Sequence, residues 1–150
     1  MKRFKFRFET VEKVRIDQEK IAMRALSDAQ RAYAAEVERK KGLIRDLDES
    51  LARREQLAQI PTSIIAYRTE QDFIVGTKQR IIQSDHALIR ERKKVEKMLR
   101  IYLYARRQRM VIEKLRERDF NKYKREIAKQ TESQLRDLYI MRARAGGDVG

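Results

Sequence analysis

The scarcity of chain breakers constrains this sequence more than any motif it carries. Over 150 residues there is one proline, Pro61, and of the five glycines three crowd into the last five positions. A proline ring clashes with the preceding helical turn and has no N–H to donate. A first long element therefore ends near Ile60, and a second begins beyond it. Gly42 and Gly76 each cost a helix about 1 kcal/mol relative to alanine, and neither need stop one. The chain has room for two long helices and almost no turns.

Hydrophobic spacing shows how such helices pair. In the first half Ala22, Ala25, Ala29 and Ala32 recur at steps of four and three. Tyr33, Val37, Lys40, Ile44, Leu47, Leu51, Arg54 and Ala58 carry the alternation on, with a one-residue shift near Tyr33. In the second half Ile74, Ile81, Leu88, Val95 and Tyr102 stand seven apart, flanked by Ile82, Ile89, Leu99 and Leu103. Ile112, Leu115, Tyr123, Ile127, Leu138 and Met141 continue it at a longer average repeat. A seven-residue repeat keeps one stripe facing a partner helix. Charged residues make up 40% of the chain, and the 41% that is hydrophobic includes alanine. That composition suits a narrow seam and not a thick core. The expected fold is all-α, a long antiparallel two-helix coiled-coil hairpin in a single domain over 1–150. Its parts are a helix over about 4–60, a turn over about 61–70, a second helix over about 71–143 and a flexible tail over 144–150. The longer second helix would overhang the paired termini.

The residues for catalysis or metal binding are missing. There is no cysteine and a single histidine, His86, so neither a thiolate nucleophile nor a zinc set of the H-E-x-x-H kind can be built. Val75-Gly76-Thr77-Lys78 has a phosphate loop's residue types in the wrong order, and position 71 is Gln where the motif needs glycine. Carboxylates on a narrow helical pair stay solvated beside Lys and Arg. The sequence points to a non-enzyme without catalytic residues, cofactor or metal. The start, Met1 to Phe8, alternates basic and aromatic residues, but Glu9, Glu12, Lys13 and Arg15 follow where a signal peptide would be apolar. No secretory signal is expected, and the apolar runs fall short of the ~20 residues of a membrane span.

Charge then narrows the choice of partner. The chain has 37 Lys and Arg against 23 Asp and Glu, a net charge of +14. From Arg90 to Arg125 there are 15 basic and 5 acidic residues, so this stretch carries most of the excess. Self-repulsion on that scale calls for a partner of opposite charge. A basic-zipper reading fails because the basic stretch also contains the seam residues Val95, Leu99, Tyr102 and Leu103. No specific nucleic acid is expected, although non-specific phosphate binding stays open. Phe4, Phe6 and Phe8 among Lys2, Arg3, Lys5 and Arg7 leave open a peripheral contact with anionic lipid. On a helix Phe4 and Phe8 would share a face with Phe6 opposite.

Protein is the third partner class, and here the chain resembles a family. Phe6-Arg7-Phe8-Glu9-Thr10-Val11-Glu12-Lys13-Val14-Arg15, the Gln18-Glu19-Lys20 charges and the alanine-rich Ala22 to Ala35 stretch are similar to the opening of the flagellar export protein FliJ family. Glu113-Lys114-Leu115-Arg116-Glu117-Arg118, Tyr123, Arg125-Glu126 and Gln134-Leu135-Arg136-Asp137 resemble its far end. The chain departs from the family where an Asp-Glu pair is common, since Leu138 and Tyr139 follow Asp137. The resemblance implies a stalk-like coiled coil of the flagellar type III protein export apparatus. It would be cytoplasmic and peripheral at the inner face of the inner membrane, set in the ring of the hexameric export ATPase and linking it to the membrane export gate. It further implies that export chaperones are partners. By analogy with rotary stalks, Arg7, Arg15, Lys122, Lys124, Arg125, Arg136 and Arg142 would contact the ATPase ring. Phe73, Thr77, Arg80 and His86 would contact the gate's cytoplasmic domain. The stalk of a virulence type III secretion system shares this architecture and is the alternative, followed by a basic coiled coil for nucleic acid or anionic membrane.

Overall fold

The structure is a computed structural model that describes residues 2–61 and 64–147. Two helices, α1 (Glu9–Ala58) and α2 (Ile64–Gly147), account for nearly all of it, and there is no strand among the described residues. The fold is an all-α helical hairpin whose helices pack on each other. Its contacts gather into two compact units. The central unit is Lys20–Tyr104, and the terminal unit joins Met1–Glu19 to Ala105–Gly150.

In the central unit each helix turns one unbroken stripe towards the other. On α1 the buried and half-buried positions include Ala22, Leu26, Ala29, Tyr33, Glu36, Lys40, Leu43, Leu47, Ser50, Arg54 and Leu57, at alternating steps of four and three. On α2 they include Glu70, Ile74, Thr77, Ile81, Ser84, Leu88, Glu91, Val95, Met98 and Tyr102. Two expectations need correction. No one-residue shift occurs near Tyr33, and Ala32, Ile44 and Ala58 are exposed. Ile82, Ile89, Leu99 and Leu103 do not flank a wide buried face, for they too are exposed. The cause is the same in both helices: polar or small residues fill seam positions that hydrophobicity alone passes over. Ser50, Thr77 and Ser84 are almost wholly buried, as is Ile74.

These polar seam residues fix the pairing. Arg53 donates to a Glu70 carboxylate oxygen at 3.1 Å and Arg54 to the Gln71 amide oxygen at 2.7 Å. Farther along, the Ser84 hydroxyl donates to Glu36 at 2.8 Å and Lys40 pairs with Asp85. From the Glu36–Ser84 and Lys40–Asp85 pairs to the Arg53–Glu70 and Arg54–Gln71 pairs the numbers rise on α1 and fall on α2, so the pair is antiparallel. A slip by one heptad would separate each of these pairs and leave half-buried charges without partners, which is costly.

The connection is tighter than the sequence suggests. Gln59 and Ile60 close the end of α1 with bonds to the Gln56 and Leu57 carbonyls, and Pro61 follows where a helix can no longer continue. Thr62 and Ser63 lie outside the described residues. α2 begins at Ile64, so most of the expected turn over 61–70 is helical. The Arg53–Glu70 ion pair and the half-buried Ala66 explain why that turn is drawn into the hairpin. At the other end α2 runs to Gly147 through positions expected in the tail, and Arg144 in its last turn suits the negative end of the helix dipole. Residues 148–150 of that tail lie outside the described residues.

In the terminal unit α1 opens at Glu9, not near residue 4. Residues 2–6 are not helical, and the period-two alternation of aromatic and basic residues is the pattern of an extended chain. Its aromatic side packs on α2. Phe4 meets Phe120 edge-on at 5.2 Å and Tyr123 at 5.5 Å, and the Tyr123 hydroxyl donates to the Lys2 carbonyl at 2.6 Å. Phe6 is buried, with the Arg116 guanidinium 5.9 Å from its ring. Glu12 pairs with Arg116, and Glu19 with Arg109, which also binds Glu113 at 2.8 Å. As one partner's number rises by seven, the other's falls by seven.

Candidate protein-docking surfaces

All seven arginine and lysine candidates for the ATPase contact lie in the terminal unit. Lys122, Arg125 and Arg142 are exposed and make no ion pair among the described residues. Lys124 stands 4.7 Å above the exposed Phe120 ring and Arg7 5.2 Å from Phe8, so both keep their charge at the surface beside an aromatic face. Arg136 pairs with Glu132 one turn earlier at 2.6 Å, an exposed bridge of small energetic worth. Arg15 differs, being half-buried on the seam side of α1 and donating to Gln18.

Beyond Ile127 every described residue of α2 is exposed. Leu138 and Met141, expected to prolong the seam, are 56% and 68% exposed. The N-terminal segment meets α2 at Tyr123, where the Lys2 carbonyl sits, and Leu138 and Met141 lie about four to five turns beyond that point. Leu135 and Tyr139, one turn apart, are equally uncovered, and Arg136 and Arg142 lie beside them. Sequence reasoning did not single out Leu135 and Tyr139 as contact residues. The available signal was the recurrence of apolar residues, Leu135, Leu138, Tyr139 and Met141, in the last turns of the second helix.

The four residues assigned to the gate contact all lie in the central unit, yet they are not brought together. Thr77 is fully buried in the seam and therefore offers nothing to a partner, which corrects its assignment. Ser84, one heptad beyond Thr77, is likewise buried and bonded to Glu36. Their hydroxyls and small volume suit the close approach of two helices. Phe73 and Arg80, one heptad apart, remain outside, with the guanidinium 5.7 Å from the ring centre. His86 is exposed, but more than a quarter of a turn round the helix from that line.

Two titrating groups are shifted by this packing. The Ser50 hydroxyl most of all, then the Arg53 guanidinium, hold the Glu70 carboxyl below its usual range against the opposing effect of burial. The bond to Glu19 keeps the Arg109 guanidinium even more firmly protonated than usual. Both anchor the helix pair and neither faces a pocket suited to chemistry. Among the described residues no group of three or more His, Cys, Asp or Glu side chains could hold a metal ion, and no helix is long and apolar enough to cross a membrane.

No curated protein and no solved structure matches this chain. The sequence model of the flagellar FliJ protein, by contrast, matches residues 4–147, the span that includes the aromatic N-terminal segment, both helices and the uncovered end of α2. The chain thus belongs to the FliJ family and has a role related to flagellar protein export.

Proposed function

We propose that this protein is a non-enzymatic stalk of the flagellar export apparatus, whose terminal unit enters the ring of the hexameric export ATPase. The observation that carries this reading is the uncovered end of α2. Leu135, Leu138, Tyr139 and Met141 are all more than half exposed, with Arg136 and Arg142 among them. Apolar side chains left open in this number mark a surface that another protein covers. Six of the seven basic candidates, all except Arg15, are exposed in the same unit. Binding there would favour the assembled ring by mass action, with no nucleotide held by the stalk itself. The protein would work in the cytoplasm at the inner face of the membrane. On the central unit Phe73 and Arg80 would meet the cytoplasmic domain of the export gate, without Thr77, and export chaperones are further partners of this reading.

The test is ATPase stimulation by the complete chain. Reversing Lys122, Lys124 and Arg125 to glutamate should reduce stimulation at least about tenfold, as expected when charges central to an interface are inverted. Truncation after Ala145 should leave it intact. Full stimulation by the triple variant would remove the terminal unit from the ring. Phe73→Ala should keep helicity and stimulation while weakening binding to the gate domain. Lost thermal stability with unchanged gate binding would make Phe73 a packing residue.

A further inference from the structure

The central unit carries a second apolar stripe that its own fold does not use. Val75, Ile82 and Ile89 stand seven residues apart on α2; Glu96 holds the next place in that register and Leu103 the one after, with Leu99 beside the line one turn before Leu103. All five apolar residues are exposed, Ile82 and Ile89 by 56% and 53%. Each of the first three, with Leu103, sits one residue after a seam position, Ile74, Ile81, Leu88 or Tyr102. The stripe therefore keeps the same heptad frame as the seam and runs along another side of the helix. Scattered surface leucines and isoleucines would not hold a fixed register over four turns or more. From Val75 to Leu103 the stripe spans about 42 Å at 1.5 Å per residue.

The charges beside it choose the occupant. Asp85 is paired with Lys40 of α1, and Glu96 with Arg92 one turn away. Lys78, Lys93 and Arg100 border the stripe and make no ion pair among the described residues. We propose that this flank of α2 docks an acidic amphipathic helix of a partner protein, its apolar side on Val75, Ile82, Ile89, Leu99 and Leu103 and its carboxylates against the three free cations. This is the helix-in-groove mode of recognition, in which one apolar face laid along a complementary stripe gives affinity and the flanking charges give orientation. A second copy of this chain fits poorly, because it would set the same three cations against one another in a molecule already at +14. The site is separate from Phe73 and Arg80, which lie on the opposite flank of the seam, and it stands whether or not they contact the gate.

The test uses the complete chain and a designed helical peptide of about 28 residues, with leucines at heptad spacing and glutamates elsewhere, matched to the stripe's length. A second peptide replaces every glutamate by lysine. Binding is measured by fluorescence anisotropy and located by hydrogen exchange. The acidic peptide should protect the Val75 to Leu103 stretch. Its affinity should fall at least about tenfold for an Ile82→Ser/Ile89→Ser variant, as for the loss of two anchors. The lysine peptide should bind at least about tenfold more weakly than the acidic one. Because both isoleucines are more than half exposed, the variant should melt like the parent protein. Equal binding by parent and variant, or by both peptides, overturns the proposal. So does sedimentation showing a parent dimer that the double substitution dissolves, which would assign the stripe to a second copy. Loss of binding to anionic vesicles with peptide binding unchanged would assign it to lipid and equally overturn the proposal.

Discussion

Replacing Thr77 by valine tests the seam where it departs most from the sequence's appearance. Thr77 is fully buried, one turn from the buried Ile74, and its hydroxyl has no hydrogen-bond partner. A buried hydroxyl without a partner costs about 1–3 kcal/mol relative to an apolar group of the same shape. Valine keeps the branched outline, so no cavity opens, and its helix propensity is close to that of threonine. The gain should be about 1 kcal/mol, near the bottom of that range, because a hydroxyl in a helix can relax towards its own backbone carbonyls. In a chain of this length that gain raises Tm by about 2–4 °C. Urea unfolding followed by far-UV circular dichroism should move to a higher midpoint with an unchanged slope. Thr77→Ala provides the contrast, since it removes the hydroxyl and also a packed methyl worth about 0.8 kcal/mol. It should therefore fall below the valine variant. A valine midpoint at or below that of the parent would refute the reasoning, because it would mean that the hydroxyl is satisfied or that the site is wet. Gate-domain binding should be unaffected by Thr77→Val, since no part of the side chain reaches the surface.

Other consequences are open to direct measurement. Glu70 has a lowered folded-state pKa, so it contributes stability above its unfolded value of about 4.5, and that stability is lost as pH falls through the lower folded value. The stability difference between the parent and Glu70→Gln should accordingly be largest near neutral pH and vanish on acidification, in denaturation curves recorded across that window. Gly42→Ala should stabilise α1 by about 1 kcal/mol, since a Cβ there meets nothing within 4 Å and the position is mid-helix; a lower Tm would expose a contact the fold does not show. Phe4→Ala removes two aromatic contacts worth about 0.5–1.5 kcal/mol each and should speed trypsin cleavage at Lys5 and Arg7 while the global melting transition shifts little.

Much of this protein could be read without its coordinates. One proline and strict sevenfold spacing dictate two helices folded back at Pro61, because backbone sterics and helical periodicity are local properties of the chain. The aromatic and charged segments at its two ends sufficed to suggest the FliJ family. What periodicity could not deliver was which positions fill the seam. Ser50, Thr77, Ser84 and Glu36 look like surface residues, and Ile82 and Ile89 look like core. Which of them is buried depends on the register against the facing helix, and that register is set by pairs distant in sequence, such as Glu36 with Ser84 and Arg53 with Glu70. The same tertiary fact removed Thr77 from the exposed surface, while in the terminal unit Leu135 and Tyr139 stand exposed. It also turned Phe4 and Phe6 inward on an extended segment. Burial is a relation between two surfaces, and a single helix's pattern states only half of it.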